Sequence, residues 1–160
     1  MATEQLSAEQ ENNDEQLQWA TFELAGELYG VNVMQVKEVL RLSEIAPVPG
    51  AQHYILGIIN LRGNVIPVVD TRTLFGIARA DANTDDSRII VIELEDQTVG
   101  MLVDSVAEVI YLKQSQVERA PNVGTEESTK FIQGVSYHDE SLIILLDLNR
   151  MIDDDSSGEP

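Results

Sequence analysis

Few residues in this 160-residue chain could do chemistry, and the types and spacing of those few decide little. The chain has two histidines, His53 and His138, and no cysteine. Neither histidine sits in a recognisable nucleophile pattern with a serine, so acyl transfer finds no constellation here. His138-Asp139-Glu140 offers three metal-competent side chains in a row, but the stretch reads as an exposed hairpin turn. Asp70 and Asp147 resemble a symmetric carboxylate pair. Each stands where a short helix would begin, and capping is the reading they support. The glycines are scattered one to a turn, so no loop cradles a phosphate. The chain does not read as an enzyme, and no cofactor or metal site is expected.

One charge stands apart from this background. In YILGIINLRGNVIPVVDTRTLFG, residues 54–76, two β-branched runs flank a turn containing Asn60, Arg62, Gly63 and Asn64. The pattern predicts a hairpin with Arg62 at its tip, followed by a short helix between Asp70 and Gly76. A lone cation displayed on an apolar frame is placed to meet something outside it.

The elements that must position such a tip follow from the chain in order. WATFEL (19–24) and LYGVNV (28–33) alternate as two strands about a turn at 25–27. MQVKEVLRL (34–42) fits either a helical turn or a strand, and its periodicity leaves both open. Pro47, Pro49 and Gly50 make a loop. After a polar connection at 78–87, RIIVIEL (88–94) and TVGMLV (98–103) form another strand pair. VAEVIYL follows, then a long polar segment at 113–130. KFIQGVSY, SLIILLD and a helical turn at LNRMI close the chain.

The second half repeats the first. FELAGELYGVNVMQVKEVL from Phe22 aligns with IELEDQTVGMLVDSVAEVI from Ile92, with seven of nineteen positions identical. Tyr54–Phe75 aligns with Phe131–Ile152, and Ile55, Gly57, Ile66 and Asp70 fall on Ile132, Gly134, Ile143 and Asp147. The offset grows from 70 to 77, so seven residues are inserted within 111–130 of the second copy. Each unit of about 65 residues is small for a core of its own, and the two are expected to pack together. Such small, tightly turned units close as barrels, which predicts an all-β fold with helix confined to short caps. Gly57 and Gly134 recur at one place in both units, as plain turn glycines or at a close backbone approach. The displayed turn is not repeated: Arg62-Gly63 becomes Asp139-Glu140.

Charge narrows the partners. The formal net charge is −18. Glu4, Glu9, Glu11, Asp14 and Glu15 at one end and Asp153, Asp154, Asp155 and Glu159 at the other supply half of it. The ends, 1–17 and 153–160, read as flexible acidic tails. The body between them, at −9, repels phosphate backbones and shows no basic face, which argues against nucleic acid. No apolar run reaches a membrane span, and the acidic start is unlike a secretion signal; a cytoplasmic protein is expected. What remains is protein binding. Val36, Val39 and Leu40 form an apolar strip that reads mainly as core, but Glu38 within it, matched by Glu108, would not be buried unpaired.

These residues carry a resemblance. GIINLRGNVIPVVDTRTLFG, with FELAGELYGVNVMQVKEVLR, PVPGAQHYILG and LVDSVAEV around it, is similar to the CheW family of chemotaxis coupling proteins, from about Trp19 to Ile152. The resemblance implies two five-stranded SH3-like barrels about a shared apolar core, a first barrel near 18–80 and a second near 88–152. It implies a non-catalytic adaptor that joins methyl-accepting chemoreceptors to the histidine kinase CheA through the kinase regulatory domain. Rings with further CheW-like copies belong to the same implication. By matching positions, Val36, Glu38 and Val39 would meet the kinase, with a second contact from Glu118 to Val123. Gly57, Arg62, Val106 and Val109 would meet the receptor tip. Asn122 makes that second contact less apolar than the family pattern.

Overall fold

The computed structural model describes residues 15–79, 83–119 and 130–150. Ten strands form two five-stranded sheets: β1 (Gln16–Leu24), β2 (Glu27–Asn32), β3 (Val36–Arg41), β4 (Ile55–Leu61), β5 (Asn64–Asp70), β6 (Arg88–Glu93), β7 (Thr98–Val103), β8 (Ser105–Lys113), β9 (Ile132–His138) and β10 (Ser141–Leu146). Among the described residues there are also an α-helical turn, α1 (Thr71–Leu74), and 3-10 turns at Val33–Gln35 and Gln114–Gln116. The MQVKEVLRL stretch is therefore mainly strand. The first strand begins at Gln16, opposite Lys113, within the segment 1–17 expected to be tail.

Strand order is β8-β1-β2-β10-β9 in one sheet and β3-β6-β7-β5-β4 in the other. Each sheet curls on itself at its ends. Past β3, Ala46 exchanges backbone hydrogen bonds with Ile58 of β4 at 2.9 and 2.8 Å. Past β8, Glu118 does the same with Val135 of β9 at 2.7 and 2.8 Å. These bridges close two SH3-like barrels and bring the ends of each sheet order together.

The barrels do not follow the halves of the sequence. Each takes the opening hairpin of one repeat and the remaining three strands of the other, so the expected division into 18–80 and 88–152 is replaced by an exchange of hairpins. The exchange is symmetric. β2 lies parallel to β10 with Gly30 beside Leu145, and β7 lies parallel to β5 with Gly100 beside Val68. The physical reason lies in the core: an exchanged hairpin buries apolar side chains on both faces, one inside its barrel and one between barrels.

Strand alternation sorts the core accordingly. Ile89 and Val91 pack with Ile59, Ile66 and Val68 inside the β3–β7 barrel. Trp19, Ile110, Leu112, Ile143 and Leu145 fill the other. Between the barrels, Phe22, Leu24, Val31, Ile90, Ile92, Met101 and Leu146 belong to one shared cluster. A file of rings runs through it, Phe22 to Tyr29 at 5.8 Å, Tyr29 to Phe75 at 5.7 Å and Phe75 to Phe131 at 5.6 Å. Burial pushes the Tyr29 hydroxyl pKa up, helped by Glu27.

Two glycines mark the barrel closures. A Cβ on Gly57 would lie 2.1 Å from the Ala46 carbonyl oxygen, and its φ is +154°. One on Gly134 would lie 2.7 Å from the Glu118 carbonyl oxygen. Close approach, rather than a plain turn, is the reason both positions are glycine. The capping expectation divides. Asp147 Oδ1 accepts from the Asn149 N–H at 3.1 Å, as a helix-start residue should. Asp70 makes no such bond; its buried carboxylate takes the Thr73 hydroxyl and Arg79 Nε, each at 2.9 Å. Arg79 approaches as α1 ends, and a guanidinium outcompetes a backbone N–H for a buried carboxylate.

Candidate functional site

The β4–β5 turn has two central residues at positive φ, Arg62 at 52° and Gly63 at 88°, the form that matches strand twist in a two-residue hairpin. Asn60 Oδ1 accepts from the Gly63 N–H at 2.9 Å and stiffens it. Arg62 is thereby held at the rim of its barrel, two-thirds exposed. Barrel closure sets β3 beside this rim, and the Arg62 guanidinium meets Glu38 in a two-pronged ion pair, Nη1 to Oε1 at 3.3 Å and Nη2 to Oε2 closer. The hydrogen bond from Arg62 holds the Glu38 carboxyl below the usual carboxylate range. Glu38 and Arg62, expected to serve two different partners, thus form one unit.

The rest of β3 alternates. Val36 packs against the shared core and Leu40 into the barrel, while Val39 stands outward between exposed Lys37 and Arg41. β8 is the counterpart of β3 in the other barrel. Val109, 70 residues after Val39, is exposed to the same 46%. Val106 is exposed as well, opposite Phe22. Both strands are sheet edges, so these valines border open rims. Val106 and Val109 lie in the other barrel from Arg62.

Gly57 is buried in β4 and has no surface to offer. Any contribution to a partner passes through the closure it permits. Glu118 forms the other closing bridge with its side chain exposed. Val123 lies outside the described residues. The sequence reading passed over other exposed apolar side chains: Met34 at 87%, Val65 and Tyr137 at 65% and Tyr111 at 54%. Tyr137 stands directly across from exposed Leu142 in the β9–β10 hairpin. Strand alternation carried that signal for Val65, Tyr111 and Tyr137, each at an outward position of its strand, whereas Met34 stands on the 3-10 turn before β3. Among the described residues no helix is long and apolar enough to cross a membrane.

The site is a surface of rims, edges and displayed turns. A family profile described as the CheW-like domain matches residues 18–156. The chain belongs to that family. It is 34% identical over 142 residues to the chemotaxis protein CheW of Treponema pallidum, covering 87% of this chain and 84% of that protein. It is 35% identical over 136 residues to the CheW of Bacillus subtilis, with 85% and 86% covered. Among solved structures it is similar to the scaffolding protein TtCheW of Thermoanaerobacter tengcongensis, with a TM-score of 0.76 and 39% identity over 84% of this chain and 86% of that one. The CheW-like fold accounts for the all-β, two-barrel architecture and for the duplicated strands.

Proposed function

We propose that this chain is a non-catalytic adaptor of a chemosensory array, coupling chemoreceptors to the histidine kinase CheA. One observation supports this above the rest: two matched barrels keep the same exposed edge valines, Val39 and Val109, yet display opposite charge at matched turns, Arg62 against Asp139-Glu140. A framework repeated with its displayed chemistry changed suits a protein that holds two different partners at once. The relatives named as chemotaxis proteins, and the solved relative described as a scaffold, agree with that reading.

In this account Val39 is the apolar anchor toward the kinase regulatory domain, with Val36 supporting it from beneath and Glu38 setting register. Glu118 and Val123 provide a further kinase contact. Arg62, Val106 and Val109 face the receptor tip, with Gly57 acting through backbone shape. Arg62 must exchange some of its bonding to Glu38 for a receptor carboxylate or carbonyl, so its contribution is one of specificity as much as affinity. Further CheW-like copies could complete rings through the same edges. The protein acts at the cytoplasmic side of the membrane through these partners. The test is reconstitution: receptor-dependent control of CheA autophosphorylation requires the chain, and a kinase that responds equally without it ends the proposal.

A further inference from the structure

The closure that joins Glu38 to Arg62 assembles a different set of groups in the other barrel. Glu108 of β8, His138 at the end of β9 and Asp139 at the turn each bring one ligand atom within 4.8 Å of the others. Glu108 is the repeat counterpart of Glu38, and Asp139 that of Arg62. Where one barrel answers a strand glutamate with a guanidinium, this one answers it with a second carboxylate and an imidazole. His138 Nε2 lies 3.5 Å from Asp139 Oδ2.

One imidazole nitrogen and two carboxylate oxygens are the donor set of a borderline divalent ion, and Glu108 on β8 reaches the adjacent His138 and Asp139 from a separate strand. The scaffold beneath is fixed. The buried Thr21 hydroxyl donates to the Glu108 carbonyl at 2.5 Å, at the bulge where β8 passes β1. His138 is paired with Ser141 across the hairpin.

We propose that Glu108, His138 and Asp139 bind one divalent transition-metal ion of the zinc class, which ties β8 to the β9–β10 turn as the Arg62–Glu38 pair ties β3 to the β4–β5 turn. The donors are on the surface and only three in number, so water completes the coordination and the ion exchanges freely.

The test is a calorimetric titration of the metal-free full chain with zinc chloride, followed by NMR of the two histidine rings. The expected result is one saturable site in the micromolar range that shifts the His138 ring and leaves His53 in place. His138→Gln and Glu108→Gln should each weaken it by at least about tenfold, the lower end of what even outer hydrogen-bond partners of a metal ligand contribute. Zinc gathered loosely by other acidic residues would be indifferent to both substitutions. No saturable binding overturns the proposal, as does binding of unchanged affinity in both variants. Should one variant fail to fold, the other decides.

Discussion

Glu38 on β3 and Arg62 on the turn that follows β4 lie 24 residues apart, and they meet only because β3 and β4, at opposite ends of one sheet order, are brought together as the sheet closes into a barrel. The pair is exposed, so it adds little to folding; its consequence is that the displayed cation already has an anion at hand. Arg62→Ala should leave the melting temperature nearly unchanged while weakening receptor-tip binding. Arg62→Glu should weaken it further, because two glutamates would then face each other. Paired thermal melts and receptor pull-downs check this, and a large fall in melting temperature would mark Arg62 as structural.

The barrel closures give the sharpest stability contrast. Gly57→Ala drives a Cβ into the backbone of Ala46, which no side-chain rotation relieves, and should cost about 3 kcal/mol or more. Gly26 also has positive φ, at 84°, but open space around it, so Gly26→Ala should cost only about 1 kcal/mol of backbone strain. Urea denaturation of the two variants reads the difference.

Hairpin exchange predicts how the chain fails when cut. A fragment ending in the 78–87 connection holds β1 and β2 without β8, β9 and β10, and β3, β4 and β5 without β6 and β7. Neither barrel is complete in it, and the shared core is half empty. The fragment alone should be unfolded by circular dichroism, while an equimolar mixture with its complement should recover structure.

An ion pair at the junction of the barrels sets the acid response. Arg72 of α1 grips Asp104 at 2.9 and 2.5 Å, and Asp104 Oδ2 also accepts the Ala25 N–H at 2.8 Å. The hydrogen bond from Arg72 leads in holding the Asp104 carboxyl below its ordinary value. A folded pKa lower than the unfolded one contributes stability that is present above the unfolded value, about 3.9, and is lost as pH falls through the folded one. Asp104→Asn should therefore lower stability at neutral pH by about 1 kcal/mol, roughly one charge-assisted hydrogen bond, and the variant should lose less than the parent below pH about 4. Melting temperatures of both proteins from neutral pH down to pH 3 check the sign.

How much of this was legible in the chain differs by level. The alternation in WATFEL and the apolar runs of RIIVIEL and SLIILLD showed strands, and the two offsets showed duplication, because strands and repeats are written in local pattern. Which hairpin pairs with which is not. Ile89 and Ile90 read alike in sequence, yet one fills a barrel and its neighbour fills the space between barrels. The site divides the same way. Arg62 announced itself as a charge on a turn, but Val39 read as part of a strip that was mainly core and stands outward instead, and the partnership of Arg62 with Glu38 arises from closure, a tertiary event. Asp70 shows the limit in miniature: its place at a helix start was readable, and Arg79 as its partner was not.

Isothermal calorimetry of the full chain against the isolated regulatory domain of CheA tests the adaptor account most directly. Saturable one-to-one binding is predicted, weakened about tenfold or more by Val39→Ala, an anchor-sized loss, with circular dichroism and melting unchanged. No heat at tens of micromolar protein, or equal binding by the Val39→Ala variant, would contradict the kinase-facing edge assigned to β3.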